Sequence, residues 1–294
     1  MKNFITGVFT LMTMGFTFAQ FNVDVTSQNG NLNTATVDQT GLLNINTLTQ
    51  DGNRNDADID QVGAFNTNDA ESIGNRNNID VDQTGLGNSN EVSQLGNRNS
   101  ADTWQLGLFN STEQTQIGRR NEASSVQLGT DNSVTQYQDG RRNSASAWQV
   151  GDENLAIQYQ DGRRNDASLI QVGDENIAGQ AQIGRRNEAT GLQVGDSNFL
   201  VQYQDGNDNS ASNDQIGDGN IAVALQLGDD NTAMGVQIGD GNELYQVQSG
   251  DDNTAIDVQM GDDNYAMVSQ SGDSHMHTGT QMGNNNSLTV TQSN

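Results

Sequence analysis

The side chains with the most chemical potential in this sequence are two histidines, many carboxylates and a set of arginines. The 294-residue chain has no cysteine, and its one lysine is Lys2. Thiol nucleophiles, Schiff-base lysines and catalytic triads are therefore excluded beyond the first residues. A Gly-Lys-Ser or Gly-Lys-Thr phosphate-binding loop is also missing. The sequence predicts a protein that is not an enzyme and that needs no cofactor.

The two histidines stand close together near the C-terminus, at His275 and His277. If this segment is a strand, alternation points both side chains inward. An inward imidazole pair is suited to binding a soft metal ion or to responding to pH. The alternative is the decay of a terminal repeat. We favour that alternative, so the sequence predicts no metal site.

Many carboxylates follow glycine in short acidic segments such as residues 228–231, 239–242 and 261–264. Carboxylate oxygens are typical ligands of Ca²⁺. Calcium-binding β-rolls, however, repeat about every nine residues, whereas these segments repeat every eleven. We therefore expect weak, screened association of Ca²⁺ rather than specific sites. We also expect the carboxylates to lie on exposed turns, where water screens them.

The composition argues against an ordinary globular core. Only 32% of the residues are apolar and the net charge is −26, whereas globular domains have about 45–50% apolar residues. Such a chain is expected to be disordered unless a regular pattern lets its polar side chains satisfy one another. The negative charge also repels phosphate, so duplex nucleic acid is not an expected partner.

Residues 1–19 differ in kind from the rest of the chain. Lys2 precedes an apolar run from Phe4 to Phe18, and the small residue Ala19 follows it. This pattern is typical of a secretory signal peptide that is cut after Ala19, and the run is short for crossing a bilayer. We predict export, a mature region of residues 20–294 and no membrane span in that region. A membrane anchor is the alternative.

An eleven-residue repeat dominates the remainder. Glycine recurs at every eleventh position from Gly30 to Gly283. Glutamine stands two residues before each of these glycines except at Ser72, and asparagine stands three residues after each except at His275. A register kept over this length of chain indicates a repeat architecture.

The repeat favours strands over helices. From Asn33 to Gln39 there are seven residues, the length of a strand, and alternate side chains share one face. The segment from Gln39 to Asn44 then turns the chain, with Gly41 supplying a backbone conformation that other residues resist. The sequence predicts an all-β solenoid of about 25 short strands in 11-residue units, with two strands in each 22-residue rung.

Stacked rungs would place identical side chains above one another at the strand spacing of about 4.8 Å. Amide ladders formed in this way satisfy buried polar groups. The candidate ladder residues are Gln127, Gly129, Asn132, Gln138, Gly140, Asn143, Gln149, Gly151 and Asn154. Between the ladders we expect a thin apolar core that contains Ala35, Val37, Leu48, Ile59, Val81, Leu169 and Val290.

The turns alternate in charge with a period of 22 residues. The arginines fall on every second turn, which predicts a basic edge formed by Arg119, Arg120, Arg141, Arg142, Arg163, Arg164, Arg185 and Arg186. The opposite edge is apolar at first and then acidic. After Arg186 only acids remain, so we expect that third of the rod to be the looser part at neutral pH. A tolerance of exposed turns for any charge is the alternative explanation.

The Gln-x-Gly-x-x-Asn pattern with a following small or apolar residue and a second Gln resembles the curlin repeat of curli fibre subunits. The resemblance runs from Asn22 to Asn294. It implies a bacterial functional amyloid of the cell surface, in which the ladder residues stack. It also implies partners: a nucleating subunit and an outer-membrane secretion channel.

We therefore expect an exported structural subunit that self-assembles head to tail into extracellular, pilus-like fibres for biofilm matrix and cell adhesion. Both the first strand and the last keep the repeat pattern, so each would present unpaired backbone groups to another copy. The alternative is a soluble β-solenoid adhesin, or an ice-binding or calcium-binding module. Such a module should carry end caps and a regular threonine array.

Overall fold

A computed structural model describes residues 21–294, so the predicted signal peptide lies outside the described residues. These residues form 25 strands and no helix. No helix long and apolar enough to cross a membrane occurs in this part of the chain. The strands are β1 (Val23–Asn31), β2 (Thr34–Leu42), β3 (Ile45–Asn53), β4 (Asp56–Ala64), β5 (Thr67–Asn75), β6 (Asn78–Leu86), β7 (Ser89–Asn97), β8 (Ser100–Leu108), β9 (Ser111–Arg119), β10 (Glu122–Thr130), β11 (Ser133–Arg141), β12 (Ser144–Asp152), β13 (Leu155–Arg163), β14 (Asp166–Val172), β15 (Ile177–Arg185), β16 (Glu188–Val194), β17 (Phe199–Asn207), β18 (Ser210–Ile216), β19 (Ile221–Leu227), β20 (Thr232–Ile238), β21 (Glu243–Ser249), β22 (Thr254–Met260), β23 (Tyr265–Ser271), β24 (Met276–Met282) and β25 (Ser287–Ser293).

The strands form two parallel sheets that face each other. The odd-numbered strands make a 13-stranded sheet and the even-numbered strands a 12-stranded sheet, each in chain order. Neighbouring strands are paired with an offset of 22 residues, so that Gln127 lies beside Gln149 and Gly129 beside Gly151. One odd and one even strand make a rung. The prediction of an all-β solenoid with 22-residue rungs is confirmed.

The arcs between the strands contain a second special backbone position that the sequence pattern did not reveal. Gly140 has a φ of 118°, as the glycine of a turn would suggest, but the sharp bend lies two residues later at Arg142, where φ is 60°. The same left-handed conformation recurs two residues after every glycine of the series. A left-handed conformation costs a residue with a Cβ about 1–2 kcal/mol, so stacking must offset this strain at each arc.

The core between the sheets is thin and mixed. Leu48, Ile59, Val81 and Leu169 are fully buried, and Ala35 and Val37 pack against the first cluster. The predicted core is confirmed at these positions; Val290, in the last strand, is half-buried. Further along, the 13-stranded sheet fills inward positions with a second glutamine column that was not predicted: Gln114, Gln136, Gln158, Gln180 and Gln202.

Candidate functional site

The glutamine column of the 12-stranded sheet forms an unbroken hydrogen-bonded ladder. Gln127 Nε2 donates to Gln149 Oε1 at 3.0 Å, and the same bond links each rung from Gln39 to Gln281. The second hydrogen of Gln127 Nε2 goes to the main-chain oxygen of Ser111 in the opposite sheet, at 2.9 Å. Each amide therefore ties its rung both to the next rung and to the facing sheet.

The corresponding ladder of the 13-stranded sheet is interrupted once. Gln138 Nε2 donates to Gln160 Oε1 at 2.8 Å, and the ladder is continuous from Gln94 onward. Ser72 is too short to reach its neighbours. Its Oγ and Gln94 Oε1 are buried without a hydrogen-bond partner. The ladder therefore contains a defect at the position where the sequence departs from glutamine.

The asparagine columns hold the arcs. Asn132 Oδ1 accepts from the main-chain N–H of Asn154 at 3.1 Å, and Asn132 Nδ2 donates to Gly151 O at 2.6 Å. On the other edge, Asn143 N donates to Asn121 Oδ1 at 3.1 Å. Because each asparagine bonds to main-chain groups of adjacent rungs, it fixes the path of the turn as well as the stacking.

The glycine columns are required by close stacking. A Cβ added at Gly140 would lie 2.0 Å from the carbonyl oxygen of Gly162 in the next rung, far inside van der Waals contact. The predicted ladder residues thus line up in continuous columns along the rod. Their role in joining one copy of the chain to another stays a prediction.

All the arginines of the described residues lie on one edge of the rod, as the 22-residue alternation predicts. Arg119 pairs with Arg141, Arg141 with Arg163 and Arg163 with Arg185. The parallel column at the left-handed positions contains Arg54, Arg76, Arg98, Arg120, Arg142, Arg164 and Arg186. The positive charge of Arg119, followed by that of Arg142, lowers the pKa of Arg141, which is the mark of stacked like charges.

Within the described residues, one arginine of this edge forms an ion pair with a carboxylate. Arg186 makes a two-pronged contact with Asp208, the next residue of its column. The hydrogen bond from Arg186 is the main cause that lowers the pKa of Asp208. The basic edge therefore ends in a neutralised pair, and the acidic part of the same edge begins there.

In the acidic arcs, aspartates accept hydrogen bonds from backbone N–H groups of the adjacent rung, which the sequence did not predict. Asp218 N donates to Asp240 Oδ1 at 2.9 Å, and Asp196 N donates to Asp218 Oδ1 at 2.9 Å. The same bond occurs on the other edge, where Asp229 N donates to Asp251 Oδ1 at 2.9 Å. Each of these carboxylates is thus an acceptor for the backbone of the preceding rung.

The expectation that the carboxylates lie on turns is wrong for a group on the outer face of the 12-stranded sheet. Asp58, Asp80 and Asp102 stack in one column, beside Asp60 and Asp82 in another. Partial burial raises the pKa of Asp80, and the charges of Asp102 and Asp58 raise it further. The sequence could have predicted this arrangement, because strand alternation points these side chains outward and their 22-residue spacing stacks them.

A buried carboxylate occurs near the C-terminal end. Asp257 is 1% exposed and lies 2.9 Å, through Oδ1, from His277 Nε2, while Asp257 Oδ2 accepts from Gln246 at 2.9 Å. His275 keeps the bond of the asparagine that it replaces, because its N–H donates to Asn253 Oδ1 at 3.0 Å. Both histidines point inward, as predicted. The described residues contain no group of three or more His, Asp or Glu side chains placed to hold a metal ion.

Two stacked sheets of in-register parallel strands, held by amide ladders and a thin core, define a repeat-built β-solenoid. The curlin associated repeat matches five segments of the chain, at residues 52–85, 129–157, 206–234, 250–281 and 261–293. The chain is therefore a curlin-repeat family protein. This is a structural family rather than an enzymatic one, and its repeat indicates a curli-type structural subunit. A comparison with curated proteins found no match to the chain.

Proposed function

We propose that this chain is an exported subunit that self-assembles head to tail into extracellular, curli-like amyloid fibres at the bacterial surface. The fibres would serve as biofilm matrix and in adhesion. The curlin repeats support a structural role of this kind. By analogy with the family, a nucleating subunit and an outer-membrane secretion channel would be the other partners.

The observation that carries the proposal is the state of the two ends of the rod. In the middle, inward side chains of both sheets are fully buried by the rungs on either side. The same columns are exposed in β1 and only half-buried in β25. Within residues 21–294, each end therefore presents unpaired strand edges and unfilled ladders, which a second copy of the same repeat would complete.

Purified chain tests the proposal directly. We expect it to form fibres that bind amyloid dyes and diffract at the cross-β spacings of about 4.8 Å and about 10 Å. A chain that stays monomeric at high concentration, with β-rich circular dichroism but no such diffraction, would contradict the proposal. That result would favour a soluble solenoid module.

A substitution at Gly283 tests end-to-end stacking more specifically, because Gly283 is the last glycine of its column. A Cβ added there meets only Asn286 Nδ2, at 3.9 Å, whereas one added at Gly261 would lie 2.5 Å from Gly283 O. The positive φ strains alanine at both positions, 95° at Gly283 and 113° at Gly261, so the two variants differ in what the new Cβ meets. We expect Gly283→Ala to fold and to elongate fibres at least tenfold more slowly, because its Cβ faces the incoming copy. The matched control Gly261→Ala should instead lower the thermal stability of the subunit itself. Equal fibre growth by Gly283→Ala and the unaltered chain would count against end-to-end stacking.

A further inference from the structure

The proposed function leaves open how one copy sits on the next, and the following inference rests on it. Within the described residues, the first strand β1 and the last strand β25 belong to the same 13-stranded sheet, while β24 ends the 12-stranded sheet. One sheet therefore has one strand more than the other, and the rod ends on half a rung. A second copy can continue it in two orientations, which bury different strand edges.

Stacking without rotation would leave a gap. If β1 of the second copy paired with β25, then β2 of that copy would lie two strand spacings, about 9.6 Å, from β24. The backbone groups of both strands would face an empty row, and unpaired buried backbone groups are costly. A half-turn about the rod axis removes the gap, because β1 of the second copy then pairs with β24 and its β2 with β25.

We propose that successive copies stack with a half-turn between them, so that the 13-stranded sheet of one copy continues as the 12-stranded sheet of the next. The repeat permits this because both arcs use the same Gln, Gly and Asn positions. Gln281 would then continue its ladder with Gln28 of the second copy, and Gln292 with Gln39 of the second copy.

The side chains of the end strands discriminate between the two orientations. The half-turn places Leu288 over Ala35 and Val290 over Val37 of the second copy, which continues the apolar core. Without rotation, Leu288 would lie over Asp24 of the second copy and would bury a carboxylate against an apolar side chain, which is unfavourable.

The other strand edge fits the half-turn by hydrogen bonding, because it places an imidazole against a carboxylate. His277 would lie over Asp24 of the second copy, on the side opposite its own contact with Asp257. Asp24 is exposed at the N-terminal end of the rod, where its Oδ1 accepts from Asn46 at 2.7 Å. The departures from the repeat at both ends, an acid in β1 and a histidine in β24, thus become one complementary contact. A further consequence is that the basic edge changes side from each copy to the next.

The absence of cysteine from the sequence allows a clean test by disulfide trapping. Val25, Thr278 and Thr289 are exposed on the outer faces of their strands. The half-turn brings Val25 of the second copy beside Thr278, at a Cα separation of about 4.8 Å, which suits a disulfide. Stacking without rotation brings it beside Thr289 instead.

Fibres of the double variant Val25→Cys with Thr278→Cys should yield a ladder of covalent multimers after oxidation. The matched control, Val25→Cys with Thr289→Cys, should stay monomeric on the same non-reducing gel. Cross-linking of the control pair, or of neither pair in fibres that show cross-β diffraction, would overturn the half-turn. If neither variant nor the unaltered chain gives cross-β diffraction, the proposed function itself fails, and the diffraction reports that separately from the gel.

Discussion

The basic arcs between Gly118 and Arg186 and the acidic arcs between Gly195 and Asp273 share one backbone but treat their charges differently. In the basic arcs, arginines stack on arginines, and the column lowers the pKa of Arg141. In the acidic arcs, an aspartate such as Asp240 accepts the N–H of the preceding rung at 2.9 Å. The comparison teaches that columns of like charge differ in stability. In these arcs a backbone N–H donates a hydrogen bond to an aspartate, but no backbone group does the same for an arginine.

This difference revises an expectation drawn from the sequence. The acid-only third was predicted to be the looser part of the rod at neutral pH. The aspartates that directly follow the glycines, such as Asp240 and Asp251, accept a backbone hydrogen bond along the stack. Within the described residues, by contrast, the arginines make no ion pair before the contact between Arg186 and Asp208. We now expect the acidic arcs to be held at least as firmly as the basic ones.

The largest effect on stability should come from substitutions that do not alter any charge. Gly140→Ala in a basic arc and Gly217→Ala in an acidic arc would each place a Cβ against the next rung, at 2.0 Å and 2.3 Å from a carbonyl oxygen. We expect each to cost about 3 kcal/mol or more in the free energy of unfolding. Thermal unfolding monitored by circular dichroism measures it. If one arc tolerates alanine and the other does not, the two arcs do not share a backbone requirement.

The next effect should come from the interior that both regions share. Ser72→Gln would restore the missing ladder residue and give a partner to Gln94 Oε1, which is buried without one. Two buried hydrogen bonds contribute about 2 kcal/mol together, so we expect a higher unfolding temperature. Ser72→Ala is the control, since it removes the unpaired hydroxyl without adding an amide. A glutamine variant no more stable than the alanine variant would show that the ladder adds little.

A smaller effect should separate charge from hydrogen bonding in the acidic arcs. Asp240→Ala removes the acceptor of the Asp218 N–H and should cost about 1 kcal/mol. Asp240→Asn keeps an oxygen in the same place and should be nearly neutral; Asn284 already plays this part for Asp262, at 3.0 Å. Urea unfolding of the two variants measures the difference. If the asparagine variant loses as much as the alanine variant, the negative charge rather than the acceptor matters.

The pH dependence should trace to the outer face of the 12-stranded sheet. Burial, and then the charges of Asp102 and Asp58, raise the pKa of Asp80. A carboxyl whose folded pKa lies above its unfolded value destabilises the folded state at higher pH, and that loss disappears as pH falls through the raised pKa toward about 4.

We therefore expect stability to rise from pH 7 toward pH 4. Asp80→Asn should raise the stability at pH 7, by about 0.5 kcal/mol for each relieved pair of like charges, and flatten the profile. Ser124→Asn is the matched control, because it lies in the same outward column beside Asp102 but has no titratable group, and it should leave the profile unchanged. An Asp80→Asn variant that keeps the full pH dependence would count against this origin.

The smallest effect should concern the basic edge and lateral contacts between fibres. Exposed charges are screened over about 8 Å at physiological salt, so bundles held by basic edges against acidic arcs should loosen at high salt while single fibres persist. Arg119→Gln, Arg141→Gln, Arg163→Gln and Arg185→Gln together should mimic high salt. Bundle width in electron micrographs measures this effect. A width that stays the same at high salt and in the arginine variant would refute edge pairing.

The sequence alone determined the rung, the two sheets and the columns. An eleven-residue period with alternation inside each unit fixes which side chains face inward, and strict periodicity fixes the register of parallel strands. The sequence therefore assigns Gln127, Asn132 and Gly129 to columns and the arginines to one edge.

Only the tertiary structure decided which polar groups found partners. The left-handed residue two positions after each glycine, the carboxylate of Asp240 on a neighbouring N–H and the contact of Asp257 with His277 all depend on backbone angles and on the exact approach of stacked rungs. A periodic sequence specifies which residues become neighbours, but hydrogen bonds require distances and directions that emerge only when the arcs close. For that reason the columns were predictable from the sequence, while the strength of each column was not.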